Sequence, residues 1–367
     1  MYKFILQWFF AVAALTHPAA AANIPEDSSK AVILAYHRIG EDHLPDQSLT
    51  QEQFRQHLQE LKNGNYNILP LNQIIEALQN AAPLPPRTVA ITLEGAYRSS
   101  IENAAPLLLK NAIPFTVFYA SDTLDQKDPA YADWKELKTL KRKEIVEIET
   151  LPASYNHIAH QPKQYILAGI NKARQRHREE FATETTLLSY PYGEYSEELQ
   201  TLAKSQGYTA AFGLHSGAAY AGSNLYTLPR FSMTELYGDL ERFRMITNAY
   251  PLPVQDIEPQ DSYLKKTGPF FTGFTLPESL QNQSGDLSCF ISGQGKAEIE
   301  TLGNRIEIRA NEDLSGQTRI RLNCTMPGPV SENDENTWRW FGLLYHRPEE
   351  NLITSNPEPN EPLQPQE

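Results

Sequence analysis

Cysteine is scarce in this chain: there are two, Cys289 and Cys324, in 367 residues. They lie 35 positions apart with no histidine near either, which is not the ligand spacing of a zinc site, and no Cys-x-x-Cys pair is present. Positive charge is also short, with 32 Lys and Arg against 45 Asp and Glu and a net charge of -13. Binding to a phosphate backbone needs a basic face, so nucleic acid is not an expected partner, whereas uncharged sugars stay open. A Gly-rich phosphate loop and a Gly-x-Ser-x-Gly elbow are both absent. No apolar run approaches the roughly 20 residues that cross a bilayer.

The one marked apolar run, Phe4–Leu15, follows Lys3 and precedes Ala20-Ala21-Ala22. That is the form of a secretory signal over 1–22, cut before Asn23. The expectation is a periplasmic or secreted protein with no transmembrane segment after cleavage. In such a compartment Cys289 and Cys324 are expected to form a disulfide. A loop of that length stabilises a fold by about 3–4 kcal/mol in the chain-entropy model.

What is present is an alternation of short apolar runs with helical patterns from Ala31 to about Ala249. Strands are expected at Ala31–Tyr36, Val89–Leu93, Phe115–Tyr119, Val146–Ile148, Leu187–Tyr190 and Ala210–Leu214. Between them, Thr50–Gly64 reads as a helix with a Thr50/Gln53 capping box, an apolar face of Phe54, Leu58 and Leu61, and Gly64 as its stop. Further helices are expected at Leu71–Gln79, Ser99–Lys110 with an interruption at Pro106, Trp134–Ile145, Tyr165–Phe181, Ser196–Ser205 and Leu236–Asn248. Strands separated by helices imply a parallel sheet, open or closed into a barrel, over 31–250. Pro251, Pro253 and Pro259 mark a linker, 251–269. From Phe270 the pattern alternates strictly, with a hairpin signal at Gly303-Asn304, so 270–346 is expected to be a small antiparallel, sandwich-like domain. The tail, 347–367, is rich in Pro, Glu and Asn and is expected to be disordered.

Three segments, in order, resemble the polysaccharide deacetylase family, also called the NodB-homology domain or carbohydrate esterase family 4. They are Ile33-Leu34-Ala35-Tyr36-His37-Arg38-Ile39, Val89-Ala90-Ile91-Thr92-Leu93-Glu94-Gly95-Ala96-Tyr97-Arg98-Ser99 and Ser189-Tyr190-Pro191-Tyr192-Gly193-Glu194-Tyr195. Gly207-Tyr208 and Leu228-Pro229-Arg230-Phe231 follow. The resemblance implies an α/β fold, an irregular parallel β/α barrel of the NodB type with its site at the C-terminal ends of the strands. It also implies removal of acetyl groups from N-acetylated sugars. In that family a divalent metal held by one Asp and two His activates water, a neighbouring Asp is the base, and a backbone N–H of the Pro-Tyr-Gly turn holds the oxyanion.

Carried onto this chain, the resemblance makes Glu94 the candidate base and the Tyr192 backbone N–H the oxyanion donor. The metal-ligand positions are Gly95, Leu151 and Tyr155, none of which offers an ordinary ligand. Ser189 stands where an Arg usually precedes the turn. His37, Tyr97, Tyr155, His215 and Arg230 are candidate substrate-binding residues, with Arg230 able either to orient Glu94 or to meet a sugar. The implied partner is a polysaccharide or oligosaccharide of the chitooligosaccharide or poly-N-acetylglucosamine type. No cofactor is expected, unless a divalent metal site is rebuilt from His157, His160 and Glu94. The first expectation is therefore a metal-free glycan-binding relative of the deacetylases. The alternative is an active N-deacetylase or esterase with a remodelled site and Glu94 as base.

Two further features have plain structural readings. The run Lys172, Arg174, Arg176, His177 and Arg178, followed by Glu179 and Glu180, reads as a solvated helix face. Trp338 and Trp340 share one face of a strand and are expected to fill the sandwich core, with sugar stacking as the other option.

Overall fold

The computed structural model describes residues 25–265, 270–330 and 336–347. The expected signal, 1–22, and all but Arg347 of the expected tail lie outside the described residues. Among the described residues no helix is long and apolar enough to cross a membrane.

Seven parallel strands form the first domain: β1 (Val32–Tyr36), β2 (Thr88–Glu94), β3 (Phe115–Tyr119), β4 (Val146–Thr150), β5 (Leu187–Ser189), β6 (Ala210–Phe212) and β7 (Phe231–Met233). Their order in the sheet is β7-β1-β2-β3-β4-β5-β6, with the short Asn67–Ile68 strand pairing β2 from the side. The sheet curls into an incomplete barrel. Its gap is bridged where Leu228 pairs with Phe212 beside β6 before the chain enters β7. Strands β1 and β2 are buried on both faces, which is why they read as unbroken apolar runs.

Helices cover the outside, and their limits follow local chemistry. Helix α1 (Gln51–Asn63) has the Thr50/Gln53 capping box, and Phe54, Leu58 and Leu61 are buried on its inner face. Helix α2 is Leu71–Gln79. Pro106 splits the next helix into Arg98–Asn103 and Ala105–Lys110. Two expected helices are shorter than their patterns: Trp134–Lys141 stops before Ile145, and Leu240–Thr247 starts after a 3-10 turn at Glu235–Tyr237. In the second case Asp239 caps the helix by accepting from the Arg242 N–H, so the helix begins there and not at Leu236. The long helix Lys163–Phe181 carries the basic run. Lys172, Arg174, Arg176 and Arg178 pair with acidic neighbours on the surface, whereas His177 turns inward and is fully buried.

The second domain is two sheets around an apolar core that includes Phe274, Ile306, Ile308, Leu322 and Leu343. One sheet has the order β8 (Tyr250–Pro251), Trp338–His346, β9 (Arg319–Pro327), Ser288–Ile291 and Gly295–Lys296; the other pairs Gln255–Glu258, Phe271–Thr275, Arg305–Arg309 and Glu298–Leu302. Residues 251–269, read as a linker, thus contribute Pro251 and Gln255–Glu258 to the sheets. Cys289 and Cys324 face each other across adjacent antiparallel strands and are disulfide-bonded.

The five-stranded sheet packs on the barrel. A Cβ at Gly342 would lie 2.3 Å from the Ser216 carbonyl oxygen, so only glycine permits this approach. Arg339 makes a buried bidentate pair with Asp27 at 2.7 and 2.8 Å. Trp340 packs edge-on to Phe231 of β7 and donates from Nε1 to the Asn323 side-chain oxygen. It therefore faces the barrel and not the sandwich core, while Phe341, Leu343 and Tyr345, one residue out of phase, fill that core.

Candidate functional site

The C-terminal ends of the barrel strands open onto a cavity of about 390 Å³. Its wall carries His37 and Arg38 after β1, Tyr97 after β2, Tyr155 after β4, Tyr192 after β5, Leu214 after β6, and Ser232 and Thr234 at β7. The second domain closes it, because Arg319 and Arg321 of β9 line the same space. Of the residues singled out by sequence, His37, Tyr97, Tyr155 and Tyr192 are brought together here. Arg38, Thr234, Arg319 and Arg321 were not foreseen. The alternation Arg319-x-Arg321 puts two charges on one strand face, but nothing in the sequence says what that face meets.

The aromatic rings form a continuous wall. Tyr97 stacks on Tyr131 at 4.8 Å and meets Tyr155 edge-on at 6.2 Å. Tyr155 lies 5.0 Å from Tyr192, and His157 stacks on Tyr192 at 4.0 Å. Arg38 lies over the Tyr97 ring at 3.9 Å. Burial is the main cause that raises the Tyr97 and Tyr155 phenols above their ordinary range, so both stay protonated donors. Burial likewise lowers His37 to about 4, against the attraction of the Glu94 charge, so its ring is neutral near pH 7.

Glu94 does not line this cavity. It is fully buried, and both of its oxygens are taken: Oε2 accepts from Arg230 Nη1 at 2.7 Å and Oε1 from the Ser189 hydroxyl at 2.6 Å. Arg230 is equally buried, and also donates from Nη2 to Ser189 Oγ and from Nε to the Gly213 carbonyl. Of its two expected roles, Arg230 holds Glu94; it does not reach a sugar in the cavity. Two charges taken wholly out of water need this degree of mutual satisfaction. Ser189, at the position where an arginine was expected, is small enough to complete the cluster.

The positions implied as metal ligands are occupied by other chemistry. Gly95 has φ +79, and a Cβ there would come within 2.9 Å of the Tyr97 ring. Leu151 is fully buried in an apolar cluster with Phe118 and Phe212. Tyr155 belongs to the aromatic wall. The rebuilt site fails too. His157 Nδ1 meets Glu194 Oε2 at 2.7 Å, His160 neighbours Gln161, and Glu94 is committed to Arg230. Among the described residues no three His, Cys, Asp or Glu side chains come together in a set able to hold a metal ion. The residues present do not fit the divalent metal that the family resemblance implies.

His215 does not reach the cleft. After β6 the chain turns at Gly213, so Leu214 takes the cavity wall and His215 goes to the junction between domains, beside Tyr195 at 5.7 Å. Burial lowers it to about 4. The Pro-Tyr-Gly turn is tightly specified. Tyr192 has φ 57, and a Cβ on Gly193 would lie 2.3 Å from the Leu214 nitrogen. Glu194 then fastens the turn to the second domain. It pairs with Arg319 at 3.3 Å as well as with His157, while Arg319 donates to the Tyr192 carbonyl at 2.6 Å.

Comparison with known proteins places this architecture. Residues 81–211 match the family model described as polysaccharide deacetylase. The poly-beta-1,6-N-acetyl-D-glucosamine N-deacetylase of Staphylococcus aureus is 24% identical over 247 residues, covering 58% of this chain and 85% of that protein. Two solved structures share the fold: the Streptococcus pyogenes deacetylase PplD, with a TM-score of 0.55 at 18% identity, covering 59% of this chain and 98% of that one; and IcaB from Ammonifex degensii, with 0.54 at 18%, covering 60% and 97%. The resemblance read from the three motifs holds, and the parallel barrel it implied is the fold observed.

Proposed function

We propose that this protein, whose barrel resembles those of polysaccharide deacetylases, binds an N-acetylated glycan, of the chitooligosaccharide or poly-N-acetylglucosamine type, without deacetylating it. The reading is carried by one observation: Glu94, the only carboxylate at the base position, is fully buried with both oxygens engaged by Arg230 and Ser189. A general base must come within hydrogen-bond reach of the water it activates, and this one has no exposed surface and does not line the cavity. The ligand class follows that of the named Staphylococcus aureus relative.

In this reading the cleft keeps the recognition half of the family's site. Tyr97, Tyr155 and Tyr192 offer ring faces to the apolar faces of sugars and phenolic hydroxyls to their oxygens. The Tyr192 backbone N–H donates to the carbonyl of a bound N-acetyl group. Neutral His37 exchanges hydrogen bonds with sugar hydroxyls. The setting is the periplasm or the exterior, where such glycans occur.

The test gives the purified protein N-acetylglucosamine oligomers, with zinc, cobalt or manganese added. Acetate release and binding are both followed. Binding without release is expected. Release that disappears in Glu94→Gln would overturn the proposal in favour of a remodelled deacetylase.

A further inference from the structure

The chain is acidic overall, with a net charge of -13, yet the cavity wall holds three arginines, Arg38, Arg319 and Arg321, against one aspartate, Asp46. Two of the three are engaged: Arg38 with Glu41 at 2.7 Å and Arg319 with Glu194 at 3.3 Å. Arg321 forms no ion pair among the described residues, although it stands two positions from Arg319 on the same strand face. Like charges so placed repel.

Polar atoms on the same wall are also unspent. Arg38 Nε and the Thr234 hydroxyl are buried and have no hydrogen-bond partner within the protein, and both residues line this cavity. A buried donor left unmatched is costly, and both belong to residues bordering a space whose lining includes only one carboxylate. A neutral N-acetylated sugar is satisfied by the tyrosines and His37 and gives Arg321 nothing to pair with.

We infer that the cleft takes a glycan carrying an acidic group, a carboxylate, sulfate or phosphate, which pairs with Arg321 and accepts from Arg38 Nε and the Thr234 hydroxyl. This rests on the glycan-binding reading above and names the class of glycan. It also gives the second domain a role in recognition, since Arg321 reaches the barrel's cleft from the sandwich sheet. The anion occupies the mouth of the site; the buried Glu94–Arg230 pair is untouched.

The test uses calorimetric titration of the full chain with three probes. They are a hexasaccharide of alternating N-acetylglucosamine and glucuronic acid, an N-acetylglucosamine hexamer, and inorganic phosphate. Arg321→Gln and Arg321→Lys are compared with the native protein, and their thermal midpoints are checked, which the solvent access of Arg321 should leave unchanged. The acidic hexasaccharide is expected to bind about tenfold or more tightly than the neutral one, the effect of one charge-assisted contact. That preference should vanish in Arg321→Gln, return partly in Arg321→Lys, and shrink with added salt. Equal or tighter binding of the neutral hexamer overturns the inference and leaves the glycan reading standing. Phosphate binding that needs Arg321, without binding of either sugar, keeps the anion site and overturns the glycan reading. No binding of any probe overturns both.

Discussion

Arg230 donates to Glu94 at 2.7 Å with neither side chain exposed to solvent. The pair sits behind the cavity wall, at the position where the family resemblance implies a working base. Removing one partner leaves an uncompensated buried charge. Arg230→Met is therefore expected to cost about 3–5 kcal/mol, whereas Glu94→Leu combined with Arg230→Met restores most of that loss. Urea denaturation of the two variants checks this; equal instability of the single and double variants contradicts it.

Restoring the ligand types does not restore a metal site. In Gly95→Asp the new side chain must adopt φ +79 and displace the Tyr97 ring. The strain alone is about 1–2 kcal/mol. With Leu151→His and Tyr155→His added, competition against a chromophoric chelator is expected to show no zinc binding tighter than micromolar, and the thermal midpoint falls.

The aromatic wall predicts a separation between ring and hydroxyl. Tyr155→Leu removes the ring between Tyr97 and Tyr192 and should weaken oligosaccharide binding about tenfold, on the scale of a central aromatic contact. Tyr155→Phe keeps the ring and is expected to stay within about threefold of the native protein. Titration with the same glycan decides; an equal loss in both variants removes the stacking role.

Acid should destabilise the fold before it reaches the usual carboxylate range. His37, His57, His177 and His215 are each lowered from 6.5 to about 4, mainly by burial. Between those values the unfolded chain binds more protons than the folded one, so stability is lost as pH falls from about 6.5 toward 4. Glu149 acts in the opposite sense, because burial raises it from 4.5 to about 7 and its stabilising effect fades as pH rises through that window. Four groups outweigh one. Thermal midpoints are expected to fall steadily from pH 6.5 to 4.5, and a flat profile contradicts this.

Domain docking depends on Gly342. An alanine there meets the Ser216 backbone at 2.3 Å, overpacking expected to cost about 1–3 kcal/mol. Gly342→Leu should push the sheet off the barrel, carry Arg319 and Arg321 away from the cleft, and expose the junction to limited proteolysis. A protease pattern unchanged from the native protein argues against this account.

The local chemistry was legible because it depends on neighbours in the chain. The Thr50/Gln53 box and Gly64 bound α1, Pro106 splits a helix, and unbroken apolar runs identify β1 and β2. The apolar pattern runs past the true helix start where a polar cap intervenes, as at Asp239. Trp340 was placed in the wrong layer because two-residue alternation assigns a pair of faces without saying which one meets the barrel.

The sequence by itself determined the resemblance to polysaccharide deacetylases, the parallel order of strands and helices, and the pairing of the two cysteines. Those follow from residue type and spacing. Only the tertiary structure decided that Glu94 is sealed beneath Arg230 and Ser189, that His215 leaves the cleft, and that Arg321 enters it from the other domain. The first and last depend on residues about a hundred or more positions apart being brought together by burial and packing that no local pattern encodes.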